Sequence, residues 1–552
     1  MNTMCMVFWW ERPSCGRKIR AASWRDCFSQ SSILSIRLEK RSKKERFMFQ
    51  ISTLYKPLVL FSACSLLAGP SFSAPYTGLV KVPARGADFF TTAERFNRYY
   101  TDPTYKPERI LHVSPSGNGD GSATSPMSPD QAFSDVRAGD EILFQEGRYT
   151  GCWELDEDSS GAYDKPLVIK AASDKVSIDC CNSGRKACFN LEGANYIAID
   201  GFSLNGGSYG IRAVGLGYAQ PKHQKGIAIL NNRIGGQYKD PIFSGQSDWI
   251  AVDGNTAHHA GDGDGHGIYL SNGGDWMIVR NNELHSNASS DFQINADPIS
   301  TCMETDIAYD DPRCDGSALD AKGQGTSEFV LVESNHFHNS DVGPNFTSVR
   351  NAVVRNNIFG PYDRHGTSFW QETGNPRLGS SDNRIEHNLF IGFNRRHILQ
   401  SVAYSDRNQV RNNILLGYRH SGKSLEANPE TVLVEIDPDT VHDNHFSGNV
   451  YIGGRFSGFT PVSGELRLKK FDPAWFSGFP TDGMGTATDY RPAETAPFID
   501  KAVLLPTTPM DMEGRPRRNP VNPGPWEYGG ELRATITPSG TSPKTDNSGI
   551  TR

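Results

Sequence analysis

IAILNNRIGG (227–236), IAVDGNTAHHAG (250–261), MIVRNNELHSN (277–287) and VLVESNHFHNS (330–340) share one pattern: alternating apolar residues, polar residues, an Asn, then apolar again. The pattern returns in AVVRNNIFGPY (352–362), NRIEHNLFIGF (383–393), NQVRNNILLGY (408–418) and HFSGNVYIGG (445–454). The aligned positions are Asn232, Asn255, Asn282, Asn335, Asn357, Asn388, Asn413 and Asn449, with successive gaps of 23, 27, 53, 22, 31, 25 and 36. A period of about two dozen residues with occasional long insertions is that of a β-solenoid coil. The segments are short, β-branched and alternating, and none holds the 3.6-residue apolar period of a helix. Asn tolerates a left-handed bridge between strands, and its amide can bond the same residue one coil away. A ladder of amides along the axis is therefore expected.

A second strand family lies between these segments: GIYLSN (267–272), DFQINAD (291–297), TSFWQE (367–372), RHILQSV (396–402) and TVLVEID (431–437). Each coil thus supplies at least two strands. The expected fold is all-β, a single-stranded right-handed parallel β-helix with caps at both ends. An amphipathic helix in FFTTAERFNRYY (89–100) would form the N-terminal cap, shielding edge strands that invite aggregation. The coils with this cap span 75–454, a C-terminal cap follows over 455–530, and the Ser/Thr/Pro/Gly-rich 531–552 reads as a disordered tail.

Residues 1–47 show no periodicity and read as an extension outside the mature protein. Met48, Lys56, the apolar run Leu58–Ala68 and the small residues to Ala74 have the order of a secretory signal over 48–74. The run is too short to span a bilayer, which takes about 20 residues. A lipoprotein anchor at Cys64 is the other reading. Cys152, Cys180, Cys181, Cys188, Cys302 and Cys314 form an even set in two local clusters, as in exported disulfide proteins. Cys302 and Cys314 are placed to staple a loop, while pairing among the other four stays open. The net charge of −7 and the absence of a basic run in the mature chain disfavour nucleic acid as partner. A secreted monomer, periplasmic or extracellular, without a membrane span and with a polysaccharide partner is expected.

HVSPSGNGDGSATSPMSPDQAFSDVRAGDEILFQEGRYTG (112–151) and HGIYLSNGGDWMIVRNNELHSN (266–287) resemble the opening segment and the coils of pectate-lyase-like right-handed β-helix proteins. DYRPAETAPFIDKAV (489–503) and DMEGRPRRNPVNPGPWEYG (511–529) are similar to a C-terminal module of exported members. The resemblance covers roughly residues 110–530 and implies the fold and export rather than a reaction. DGSALDAKGQG (315–325) with HNSDVGPNF (338–346) is similar to the Asp, Lys and Asp-rich turn of calcium-dependent pectate lyases, although Val342 and Asn345 stand where acids would be expected.

A stacked sheet presents polar side chains in rows along a groove suited to an extended polymer. Outward polar residues are densest between 262 and 400. For β-elimination on a uronic-acid glycan, Lys322 or His266 would remove the proton and Arg395 or Arg396 would clamp the carboxylate. Asp297, Asp315, Asp320 and Asp341 would offer oxygens to Ca²⁺. Gln293, Asn295, Trp370, Glu372 and His397 would bind the sugar chain, Trp370 by stacking. Two alternatives remain open: glycoside hydrolysis, with Glu372 paired to Asp297 or Asp320, and glycan binding without chemistry. No nucleophile elbow, zinc-protease helix or phosphate loop is present in the sequence.

Overall fold

The computed structural model describes residues 96–182, 186–261, 263–314, 325–480 and 485–528, with a short strand pair at Pro83–Ala84 and Ala87–Asp88. The signal segment, the tail, most of 89–100 and the stretch 315–324 lie outside them. From Arg109 onward the chain winds as a right-handed parallel β-helix with three long sheets of 12, 13 and 11 strands. A full coil contributes one strand to each sheet in turn, for example Ala251–Asp253, Thr256–His258 and Ile268–Ser271. Apart from the hairpin between Ile414–Ser421 and Ser424–Ala427, every pairing in the three sheets is parallel.

Period-2 alternation sends one set of side chains inward. Val252, Val279, Val332 and Val354 line the first sheet's inner face, Leu284, Phe337, Phe359 and Phe390 the second's, and Ile294, Phe346 and Phe369 the third's. Because coils stack in register, identical rings meet face to face: Phe346 and Phe369 lie 4.5 Å apart, Phe359 and Phe390 4.7 Å.

The eight amides form one continuous buried file. Each Asn Nδ2 from Asn232 to Asn413 donates to Oδ1 of the next ladder Asn at 2.9–3.1 Å. Asn449 closes the file by donating to Glu465 Oε1 at 2.8 Å. The left-handed residue is the one before each ladder position: Asn231, Gly254, Asn281, Ser334, Asn356, His387, Asn412 and Gly448 all have positive φ. The ladder Asn is thus selected for its amide, and its predecessor makes the bend.

Two peripheral segments dress the coil. At its start, the first coil has a strand in the first sheet only, and helix Pro129–Ser134 occupies the place of the other two, with Phe133 stacked on Trp153 at 5.4 Å. The described part of 89–100 forms only the short helix Arg98–Thr101. It lies on the first sheet's outer face, where Phe96 and Tyr100 pack with Ala228, Ala251 and Ile278. Strands Arg455–Ser457 and Leu466–Leu468 carry the winding past Gly454. Beyond them the chain runs back along the second sheet's outer face, where Phe471, Phe476, Tyr490 and Trp526 pack on Ile358, Leu389, Ile414 and Val450. Among the described residues there are three disulfides: Cys152–Cys181, Cys180–Cys188 and the expected Cys302–Cys314. Among the described residues no helix is long and apolar enough to cross a membrane.

Candidate functional site

With the first and second sheets dressed by these segments, the third sheet carries a polar outward row. In register, one coil after another, it reads Asn190, Arg212, Phe243, Tyr269, Gln293, Asn345, Ser368, Gln400 and Glu435. A parallel column two residues on reads Ser271, Asn295, Thr347 and Trp370. Parallel strands stack about 4.8 Å apart, so the rows form a regular comb along the axis.

Seven of the thirteen expected site residues meet on or beside this face. Gln293 sits buried between Tyr269 and Asn345. Trp370 is half-buried, its indole N–H donating to Asn345 Oδ1. His266 precedes the Tyr269 strand, with its ring 5.0 Å from the Tyr269 ring and Nδ1 2.8 Å from Ser290 Oγ. Asn295 accepts the Asp297 backbone N–H at 2.8 Å. Asp297, left-handed with φ 44°, caps helix Pro298–Met303.

Glu372 follows the Trp370 strand and faces Asp297. Exposed as a residue, it is crowded at its carboxyl end: burial first, then the charge of Asp297, push it up to about 7, against a hydrogen bond from Asn295. Solvent on its exposed flank screens part of that charge. Burial, with Asp297, Asp240 and Glu372 nearby, likewise lifts the Tyr269 phenol to about 12.

Further along the row, His397 lies between Ser368 and Glu435. Its Nε2 is 3.2 Å from Ser368 Oγ and its Nδ1 is 3.1 Å from Glu435 Oε2. Burial and the neighbouring His397 ring, 5.0 Å away, hold His365 down at about 4. Arg395 and Arg396 are exposed at the turn leading into the His397 strand, and Arg396 adds its field to Glu435.

Of the four carboxylates expected to bind Ca²⁺, Asp297 and Asp341 are among the described residues. Asp297 follows its third-sheet strand whereas Asp341 precedes one, which puts them at opposite edges of the sheet. Asp341 is also engaged by Arg364, whose Nε lies 2.8 and 2.7 Å from its two oxygens. Asp315, Asp320 and Lys322 lie outside the described residues. Reading the sequence alone missed Tyr269, Asn345, Ser368, Gln400 and Glu435. Parity in the strand family was the available signal, because each stands at an outward position beside an inward apolar residue.

Three stacked parallel sheets with a buried Asn file at one corner decide the fold. The chain is a right-handed parallel β-helix. It is similar to a solved pectate lyase, Pel9A, at 13% identity and a TM-score of 0.46, covering 77% of this chain and 97% of that one. XylC in complex with xylose matches at 11% identity and 0.45, covering 76% and 99%. The A-module of the mannuronan C-5 epimerase AlgE6 from Azotobacter vinelandii matches at 10% and 0.38, covering 62% and 92%. No protein-family model matches the chain, and neither does any curated protein sequence.

Proposed function

We propose that this protein is an exported enzyme that holds an extended glycan along the third sheet's outward rows and cleaves it by glycoside hydrolysis. Glu372 gives its proton to the leaving oxygen, and the carboxylate of Asp297 supports the positive charge that develops on the sugar or activates water. The carrying observation is that Asn295 brings the two acids together, its Oδ1 accepting the Asp297 backbone N–H at 2.8 Å and its side chain hydrogen-bonding Glu372, whose carboxyl burial and the charge of Asp297 push up. Carboxyls whose surroundings differ in this way divide into an acid and a charge-stabilising or basic partner. Asn345, Gln293 and Asn295 offer the amides that sugar hydroxyls need, and Trp370 offers an aromatic edge beside them. The three disulfides support action outside the reducing cytoplasm.

Elimination on an acidic glycan is the second reading, favoured by exposed Arg395 and Arg396 at the edge of the rows. In that case His266 or Lys322 would serve as base. By donor chemistry, the oxygens of Asn295, Asp297 and Glu372 suit Ca²⁺, which would neutralise a sugar carboxylate. Incubation with pectate, alginate, glycosaminoglycans and neutral glycans separates these readings. New reducing ends without the absorbance of unsaturated ends support hydrolysis, and that absorbance supports elimination. Binding with neither product rejects catalysis.

A further inference from the structure

Strands Glu283–His285 and His336–His338 are adjacent in the second sheet although a long insertion separates them in sequence. Their outward side chains form two columns. Glu283 stands beside His336, and His285 beside His338, which in turn neighbours His258 through His285. The His336 and His338 rings stack at 4.1 Å, and Tyr490 of the C-terminal segment lies edge-on to His336 at 5.8 Å. One coil further on, the same column holds Ile358, which is buried in the apolar contact with that segment. The cluster therefore sits at the margin where the second sheet passes from polar to covered.

His336 is 4% exposed and His338 7%. His336 Nε2 and both ring nitrogens of His338 lack a hydrogen-bond partner, the one close polar contact being Glu283 Oε1 at 3.4 Å from His338 Nε2. Buried polar atoms are almost always satisfied, and several convergent exceptions call for a ligand. Ligand atoms of Glu283, His336 and His338 all lie within 4.8 Å of one another. Bonds of about 2.1 Å to one ion bring such atoms to about 4 Å apart or less, a closure within reach of small side-chain rotations.

We propose that Glu283, His336 and His338 form a site for a divalent transition metal, Zn²⁺ in the first instance. Two imidazoles and one carboxylate are borderline donors that suit Zn²⁺, Co²⁺, Ni²⁺ or Cu²⁺, whereas Ca²⁺ selects oxygen. Glu283 is exposed, so an ion enters from its side, and three protein ligands leave a position for water. The ion joins two coils that the chain connects only through the insertion, beneath the edge of the C-terminal segment.

The test uses the whole mature protein, stripped with chelator, loaded with Zn²⁺, desalted and assayed for retained metal, with competition against a chromophoric chelator for affinity. About one equivalent is expected to remain bound, unaffected by excess Ca²⁺. Glu283→Gln, at the exposed end where folding is least affected, is expected to weaken retention by about tenfold or more, and His338→Ala to abolish it. Absence of retained Zn²⁺ in the parent protein overturns the proposal, as does displacement by Ca²⁺. Full retention in both variants, with loss in His258→Ala/His259→Ala, also overturns it by moving binding to those neighbouring histidines.

Discussion

Replacing Asn335 by Ala tests the amide file at its middle. Asn335 is fully buried and makes four side-chain hydrogen bonds. Its Nδ2 donates to Val279 O and Asn357 Oδ1, both at 2.9 Å. Its Oδ1 accepts from Asn282 N at 2.9 Å and Asn282 Nδ2 at 3.0 Å. Asn282 Nδ2 keeps Val252 O, and Asn357 Oδ1 keeps the Asn335 backbone N–H. The Asn282 backbone N–H loses the acceptor just described and stays buried. At about 1 kcal/mol per net hydrogen bond, with the larger cost of an orphaned buried donor, the loss comes to about 4 kcal/mol. Coils stabilise one another as nearest neighbours, so the damage should begin locally. Hydrogen exchange followed by mass spectrometry should show early deprotection in peptides covering 277–287 and 330–340, alongside a lower urea midpoint. A midpoint within the equivalent of about 0.5 kcal/mol of the parent, the range of an ordinary surface substitution, with no local deprotection would refute the reasoning.

If Glu372 is the proton donor, Glu372→Gln should lower turnover by about 10²–10⁴-fold while leaving glycan binding intact, measured by reducing-end release and by affinity electrophoresis. Its raised value means that the acid form persists up to about pH 7, so the parent's activity should fall as pH rises through that value. Asp297→Asn removes the neighbouring charge, and the alkaline limb should then move to lower pH; an unmoved limb argues that another group sets it. Trp370→Ala should raise KM more than it lowers kcat, the outcome expected of an indole assigned by the proposal to hold the polymer rather than to act on the scissile bond. Cys302→Ser/Cys314→Ser should loosen the insertion that begins at Asp297, detected as increased proteolysis between 298 and 326 with the coil's melting unchanged.

The coil was legible because its demands are local and repeated. A β-branched alternation, an Asn at fixed phase and apolar inward positions all appear in short windows, and stacking multiplies the same choice many times. The bend was read one residue too late, since Asn231, Asn281, Asn356 and Asn412 each precede another Asn and the pair conceals which one turns. The candidate site was half legible. Gln293, Asn295 and Trp370 stand in strands whose parity shows their direction, and Glu372 lies two residues past the last of these. Partnerships across coils depend on insertion lengths, which no short window contains. Glu283 meets His336 only because the intervening insertion is looped out, and His397 meets Glu435 only after the hairpin from Tyr418 to Ala427 is excluded from the winding. Asp341 emerges at the sheet edge opposite Asp297, because a resemblance in nearby sequence says nothing of the edge on which a turn emerges.

The file of amides running from Asn232 to Glu465 has a direction. Every rung is chemically the same, with a head that gives and a tail that takes, and only the last is terminated by a carboxylate. Such a file can be lengthened anywhere except at its stopper: a duplicated turn such as 388–412 presents the same head and tail to its neighbours. The third sheet's outward rows can therefore gain length in whole-turn increments, with the end pieces reused unchanged.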